Sequence, residues 1–167
     1  MREGIKKMSE IESSAEAKQL AGQYFKEGYN CAEAILRAFR KELNLDLSDE
    51  ALQVGTGFGG GIGHAGCVCG ALAASIMVLG ILQGRINTRQ SLAPIYTINE
   101  GFHHKFSEKF GGTCCRVLNR YPFNSKEHLR NCLKLTGSTA ELLMQYIQEK
   151  ELHKSFIKVA ERLSLEK

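Results

Sequence analysis

The run from Ala51 to Gly84 contains no Asp, Glu, Lys or Arg. A stretch that long without charge has to be buried, either in a protein core or in a bilayer. Its second half, from Ala65 onward, is long enough to raise the membrane option. Composition argues against it. Gly66, Gly70, Gly80 and Gly84, two cysteines, Ser75 and Gln83 interrupt the segment, no aromatic belt flanks it, and no basic cluster follows beyond Arg85. Gly55 to Gly66 reads as a glycine-rich loop, with helix resuming near Cys67 and lasting to about Gln83. The expectation is an all-α, single-domain bundle in which this loop leads into an apolar central helix.

Amphipathic partners are legible on both sides. Ser13 and Glu16 form a capping-box pattern ahead of Ala17, Leu20, Ala21, Tyr24 and Phe25, and Gly28 ends that helix. Asn30, with Glu33 three residues on, starts a second helix whose inner stripe is Cys31, Ile35, Ala38, Phe39 and Leu43. Ser48 caps a short helix to about Val54. Ser91 caps another, with Pro94 tolerated in its first turn and Ile95, Ile98, Phe102, Phe106 and Phe110 on its apolar face. Gly111-Gly112 breaks it, and Thr113 is the expected cap of a short helix holding Cys114 and Cys115. Ser125 starts a helix through Cys132, and Ser138 with Glu141 suggests a further start. The total is about five to seven helices. The expected organisation is a flexible segment over 1–12, a cysteine-bearing helical domain over 13–150, and a C-terminal amphipathic helix over 151–167 built on Leu152, Phe156, Val159, Ala160 and Leu163.

The net charge of +4 is spread over interleaved acidic and basic residues, so no basic face points to nucleic acid. The first residues carry charge but no apolar core of a signal peptide, which makes the cytoplasm the expected compartment. Thiols stay reduced there. The six cysteines at 31, 67, 69, 114, 115 and 132 then read as metal ligands or redox groups rather than structural disulfides. No Cys-x-x-Cys pair occurs, so neither a zinc-finger nor a ferredoxin spacing is present. What the positions share is a helix start: Cys31 follows Asn30, Cys69 follows the glycine loop, and Cys114 and Cys115 follow Thr113. Helix N-termini lower thiol pKa values and suit an anionic, thiolate-ligated cofactor. Within each close pair, 67/69 and 114/115, the side chains diverge, so one member is expected to serve the site. Arg116, Arg130 and Lys134 flank the later cysteines and could offset negative charge.

Tyr29-Asn30-Cys31-Ala32-Glu33-Ala34, Gly57 to Gly63, Cys69-Gly70-Ala71 with Met77 to Gly80, and Phe106 to Leu118 resemble, in order, the motifs of the redox-active protein family named for its C_GCAxxG_C_C cysteine signature. The resemblance covers about Ala15 to Ile147. It implies a small helical protein whose four shared cysteines correspond to Cys31, Cys69, Cys115 and Cys132, with Cys67 and Cys114 extra. The last glycine of the family's CGAxxG motif is Ala74 here.

These readings converge on an iron–sulfur cluster held by Cys31, Cys69, Cys115 and Cys132, for electron transfer or redox sensing with a redox partner protein or a small-molecule electron donor. The alternatives are cofactor-free thiol–disulfide exchange among the same cysteines, and a zinc site with a structural or interaction role. Cys67, Cys114 and His64 are secondary candidates. Gly60, Gly61 and Gly63, through main-chain N–H groups donating to cluster sulfur, and Arg116 form a supporting shell. The loop lacks the Lys of a phosphate-binding motif and a preceding strand, which argues against nucleotide. His103 and His104 read as surface, and His128 and His153 carry no signal. Small residues between Gly70 and Gly84 suggest a homodimer contact.

Overall fold

The structure, a computed structural model, describes residues 2–152, with side chains from Glu12 onward. Seven α-helices and no strand occur among these residues. They are α1 (Arg2–Lys26), α2 (Cys31–Glu42), α3 (Asp49–Gln53), α4 (Gly70–Gln83), α5 (Ala93–Phe110), α6 (Cys115–Leu118) and α7 (Lys126–Glu149), with a 3-10 turn at Thr56–Phe58. None is long and apolar enough to cross a membrane.

The uncharged segment supplies the centre. Helix α4 packs against α2, α5 and α7, while α1 lies along α7 and also touches α2. Ala71, Leu72, Ala74, Val78 and Leu79 of α4 meet Ile35, Ala38 and Phe39 of α2, Phe102 and Phe106 of α5, and Leu143 and Ile147 of α7 in one buried core. Each such large side chain contributes roughly 1.5–3 kcal/mol by leaving water. Ala74, where the family motif has glycine, is fully buried, so its methyl is absorbed by the core. The small-residue face expected to pair with a second chain is spent largely inside this chain, and Ala73, Ile76, Met77, Gly80 and Ile81 remain half-buried.

Local starts behave as their chemistry dictates where a chain break precedes them. Asn30 Oδ1 accepts from the N–H groups of Ala32 (2.9 Å) and Glu33 (3.1 Å), and Glu33 returns a bond to Asn30 N–H at 3.0 Å. Ser48 caps α3 and Ser125 caps α7. Ser91 accepts from Ala93 N–H at 3.2 Å, but Leu92 and not Ser91 is the N-cap of α5. The capping boxes at Ser13 and Ser138 start no helix. Ser13 lies inside α1, and Ser138 inside α7. Nothing before Ser138 ends α7: Gly137 sits buried against Lys18 of α1, and Glu141 pairs with Lys18 across the two helices at 3.0 Å.

Helix α4 starts at Gly70 rather than Cys67, because the backbone at Cys69 is extended (ψ 126°) and makes it the N-cap; its N–H bonds the Thr113 carbonyl at 2.8 Å. Thr113 is therefore committed to that bond, and Cys114 takes the N-cap position of α6 in its place. Of the expected C-terminal helix, Leu152 is buried and accepts a bond from Gln83, while Phe156, Val159, Ala160 and Leu163 lie outside the described residues.

Asn30 also donates to the Thr56 carbonyl at 3.0 Å, and Thr56 to Glu33 at 2.9 Å, so this cap fastens α2 to the glycine loop. Replacing Asn30 by Ala is expected to lower unfolding free energy by about 1–2 kcal/mol. Urea unfolding checks this: the midpoint falls while the slope stays constant.

Candidate functional site

Four cysteines reach one region from four helices. Cys31 is the first residue of α2, Cys69 the N-cap of α4, Cys115 the first residue of α6, and Cys132 lies in the second turn of α7. Their thiols are free, and those of Cys31 and Cys69 are buried. Each pair among the four is close enough for one sulfur's charge to be felt by the other.

Two glycines make this approach possible. Gly70 lies so close to Cys31 that an added Cβ would stand 2.7 Å from its sulfur and 2.6 Å from the Phe58 carbonyl oxygen. Gly61, with φ of +75°, would place a Cβ 2.8 Å from that of Cys115 and 2.7 Å from Cys67 N. The rest of the expected supporting shell is more mixed. The N–H groups of Gly61, His64 and Gly66 bond within the loop, to carbonyls of residues 58 to 61, rather than to sulfur. Gly60 borders a cavity, and Gly63 is open to solvent. Arg116 donates its main-chain N–H to the Gly66 carbonyl at 3.0 Å, with its side chain packed on Gly66. His64 is exposed and its ring lies tilted against Phe123, ring centres 3.7 Å apart.

Cys67 and Cys114 are bonded to each other as a disulfide. They were secondary ligand candidates, and a disulfide was not expected. The bond uses up both thiols, and it joins the spare member of one close pair to the spare member of the other.

Cys132 has partners that sequence reasoning passed over. Asn119 Nδ2 donates to its sulfur at 3.1 Å and to the His128 carbonyl at 3.0 Å. His128 Nε2 lies 3.5 Å from the same sulfur. His128 is only 5% exposed, and its Nδ1 is buried without a hydrogen-bond partner. The signal for His128 was available: four residues before Cys132 on a helix is the same face. Asn119 sits in an irregular turn after α6, and no local pattern marks it. A cavity of about 640 Å³ opens beside Cys31 and Cys132, walled by Phe25, Tyr29, Phe123 and His128.

The thiol pKa values run opposite to the expectation from helix starts. Burial pushes Cys31 far up, neighbouring Cys69, Cys132 and Cys115 add to it, and the Ala32 N–H works weakly against them. Burial also raises Cys69 to about 11, despite N–H groups of Leu72 and Ala71 that favour its thiolate. Burial raises Cys115, and raises Cys132 against the opposing bond from Asn119. Removing a thiolate from water outweighs what a few N–H dipoles return. Among the described residues, no three His, Cys, Asp or Glu side chains stand close enough to share one metal ion.

The raised pKa of Cys69 has a consequence for stability. Its thiol ionises near 9 in the unfolded chain and near 11 in the folded one. The folded state holds the proton longer, so this contribution is complete below about pH 9 and is lost as pH rises through about 11. Thermal melts of metal-free protein are expected to show that alkaline decline, and Cys69→Ala is expected to make it shallower. An identical decline in the variant would assign it to other groups.

The sequence pattern of the family described as "Putative redox-active protein (C_GCAxxG_C_C)" matches residues 29–146. That span holds all six cysteines and runs from the cap of α2 almost to the end of α7. An uncharacterized protein of Archaeoglobus fulgidus is 27% identical over 150 residues, covering 84% of this chain and 99% of the archaeal one. No solved structure matches. With more than half of its length, and its whole sulfur site, inside the matched pattern, the chain belongs to the C_GCAxxG_C_C family of redox-active proteins.

Proposed function

We propose that Cys31, Cys69, Cys115 and Cys132 hold an iron–sulfur cluster and that the protein serves electron transfer or redox sensing. The observation that carries this reading is the convergence of four free thiols from four helices, while the two remaining cysteines are paired off. The donor set suits the group, since iron–sulfur clusters are held by four cysteine thiolates. The electrostatics suit it too. Burial holds these groups as neutral thiols, and a cationic centre is what lets them lose their protons while staying buried.

The alternatives fit less well. A single zinc ion gathers sulfurs to about 2.3 Å from one point, and these side chains are not drawn that close. Thiol exchange needs an accessible thiolate, whereas Cys31 and Cys69 are buried and burial raises the pKa values of all four, the partly exposed Cys115 and Cys132 included.

Bound at these cysteines, a cluster supplies an electron couple. The chain's own residues do the rest. Helices α2, α4, α6 and α7 present the sulfurs, and the core around α4 keeps water from Cys31 and Cys69. Asn119 fixes Cys132 by donating to its sulfur, a contact of the kind that tunes a cofactor's potential. Gly70 leaves room for the Cys31 sulfur. The electron donor reaches the site from outside, as a protein or a small molecule, and the cavity lined by Cys31 and Cys132 offers an approach for the latter.

Anaerobic purification with iron, sulfide and zinc analysis and a visible spectrum tests the proposal. Serine at any of Cys31, Cys69, Cys115 or Cys132 is expected to remove most of the iron and sulfide. Gly70→Ala is expected to lower iron content several-fold although every thiol remains. A colourless, metal-free protein that also resists reconstitution with iron and sulfide would end the reading.

A further inference from the structure

We infer that Cys67 and Cys114 form a second redox centre, a dithiol–disulfide couple that exchanges with an external dithiol. This goes beyond the proposed cluster and uses none of its four cysteines.

The bond crosses between two segments, the end of the glycine loop and the turn between α5 and α6. Those segments are already fastened on both sides of it by main-chain hydrogen bonds. Cys69 N–H donates to Thr113 at 2.8 Å, and Arg116 N–H donates to Gly66 at 3.0 Å. The Cys67–Cys114 bond lies between these two rungs. Opening it leaves the rungs in place, so the two sulfurs stay opposed and ready to rejoin. A structural cross-link does most where it closes a chain that nothing else closes, and here the closure is already made.

Cys67 and Cys114 are partly exposed, as are Cys115 and Cys132, whereas Cys31 and Cys69 are buried. The neighbouring residues Gly63, His64, Ala65, Arg116 and Val117 are all exposed, which leaves an approach for an attacking thiolate. Arg116 packs on Gly66, so a cationic side chain lies over the segment that carries Cys67.

The exchange balances without a further reactant. One sulfur of the external dithiol, as thiolate, attacks one sulfur of the pair. A mixed disulfide forms, and the other cysteine leaves as thiolate and takes a proton. The second external sulfur, losing its proton, attacks the mixed disulfide, forms the external disulfide, and frees the remaining cysteine. Two electrons and two protons pass from the external dithiol to Cys67 and Cys114, and the reverse sequence oxidises them again.

The test uses the full chain under anaerobic conditions with dithiothreitol as the dithiol. Samples at graded concentrations are quenched in acid, alkylated, and read cysteine by cysteine by mass spectrometry. Far-ultraviolet circular dichroism and the visible spectrum are followed in parallel. Cys67 and Cys114 are expected to become labelled together as dithiothreitol rises while the helical signal is unchanged, and the four free cysteines are expected to be labelled equally in every sample. Oxidised dithiothreitol is expected to restore the same pair. A bond that opens only as helix is lost, or that fails to re-form between these two residues, would overturn the inference. So would a Cys67→Ser, Cys114→Ser double variant that no longer folds, since the bond would then be structural. Iron content and visible absorption report separately on the cluster, so either reading can fail while the other stands.

Discussion

The main-chain hydrogen bond from Cys69 N–H to the Thr113 carbonyl is the inner of two that join the two halves of the sulfur site. On one side of it the uncharged segment turns from loop into the buried helix α4. On the other side the chain leaves α5 and enters α6, which carries Cys115. Cys69 is the extended N-cap of α4, and its side chain is left at the junction. The helix that starts beside it, α4, touches most of the rest of the bundle. Core and site therefore share an anchor: a change that freed Thr113 would loosen the start of the central helix as well as the spacing of the sulfurs.

What the sequence disclosed follows the range of the interaction involved. Asn30, Ser48 and Ser125 were legible as caps because a cap bonds to residues two or three positions away. The apolar stripes of α2 and α5 were legible because periodicity is local. Ser13 and Ser138 misled for the same reason: the pattern was present, but no chain break preceded it, and α1 and α7 continue through them. The pairing of Cys67 with Cys114, 47 residues apart, had no local trace. Nor had the sign of the thiol shifts, since the helix-start argument sees nearby N–H groups but not the core that closes over the sulfur. The approach of Cys31 to Cys69, Cys115 and Cys132 was anticipated from the family resemblance rather than from spacing.

The six cysteines divide by environment rather than by position in the chain. Cys67 and Cys69 are two residues apart, Cys114 and Cys115 adjacent, yet each pair sends one sulfur to the four-thiol site and one to the disulfide. A change of conformation small enough to rotate one of these short segments would act on both sulfur environments at once.

Helix α7 gives the site a mechanical property. Cys132 lies near one end, and near the other end Tyr146 donates its hydroxyl to the Ile98 carbonyl of α5 at 2.9 Å while its ring meets Phe102. At 1.5 Å per residue, the two positions are about 21 Å apart along a rigid rod. Between them α7 is held along α1, with Gly137 against Lys18 and Glu141 paired to Lys18 at 3.0 Å, so the rod is fixed over its length. The packing of α7 on α1 that steadies the core thus also fixes where the Cys132 sulfur stands.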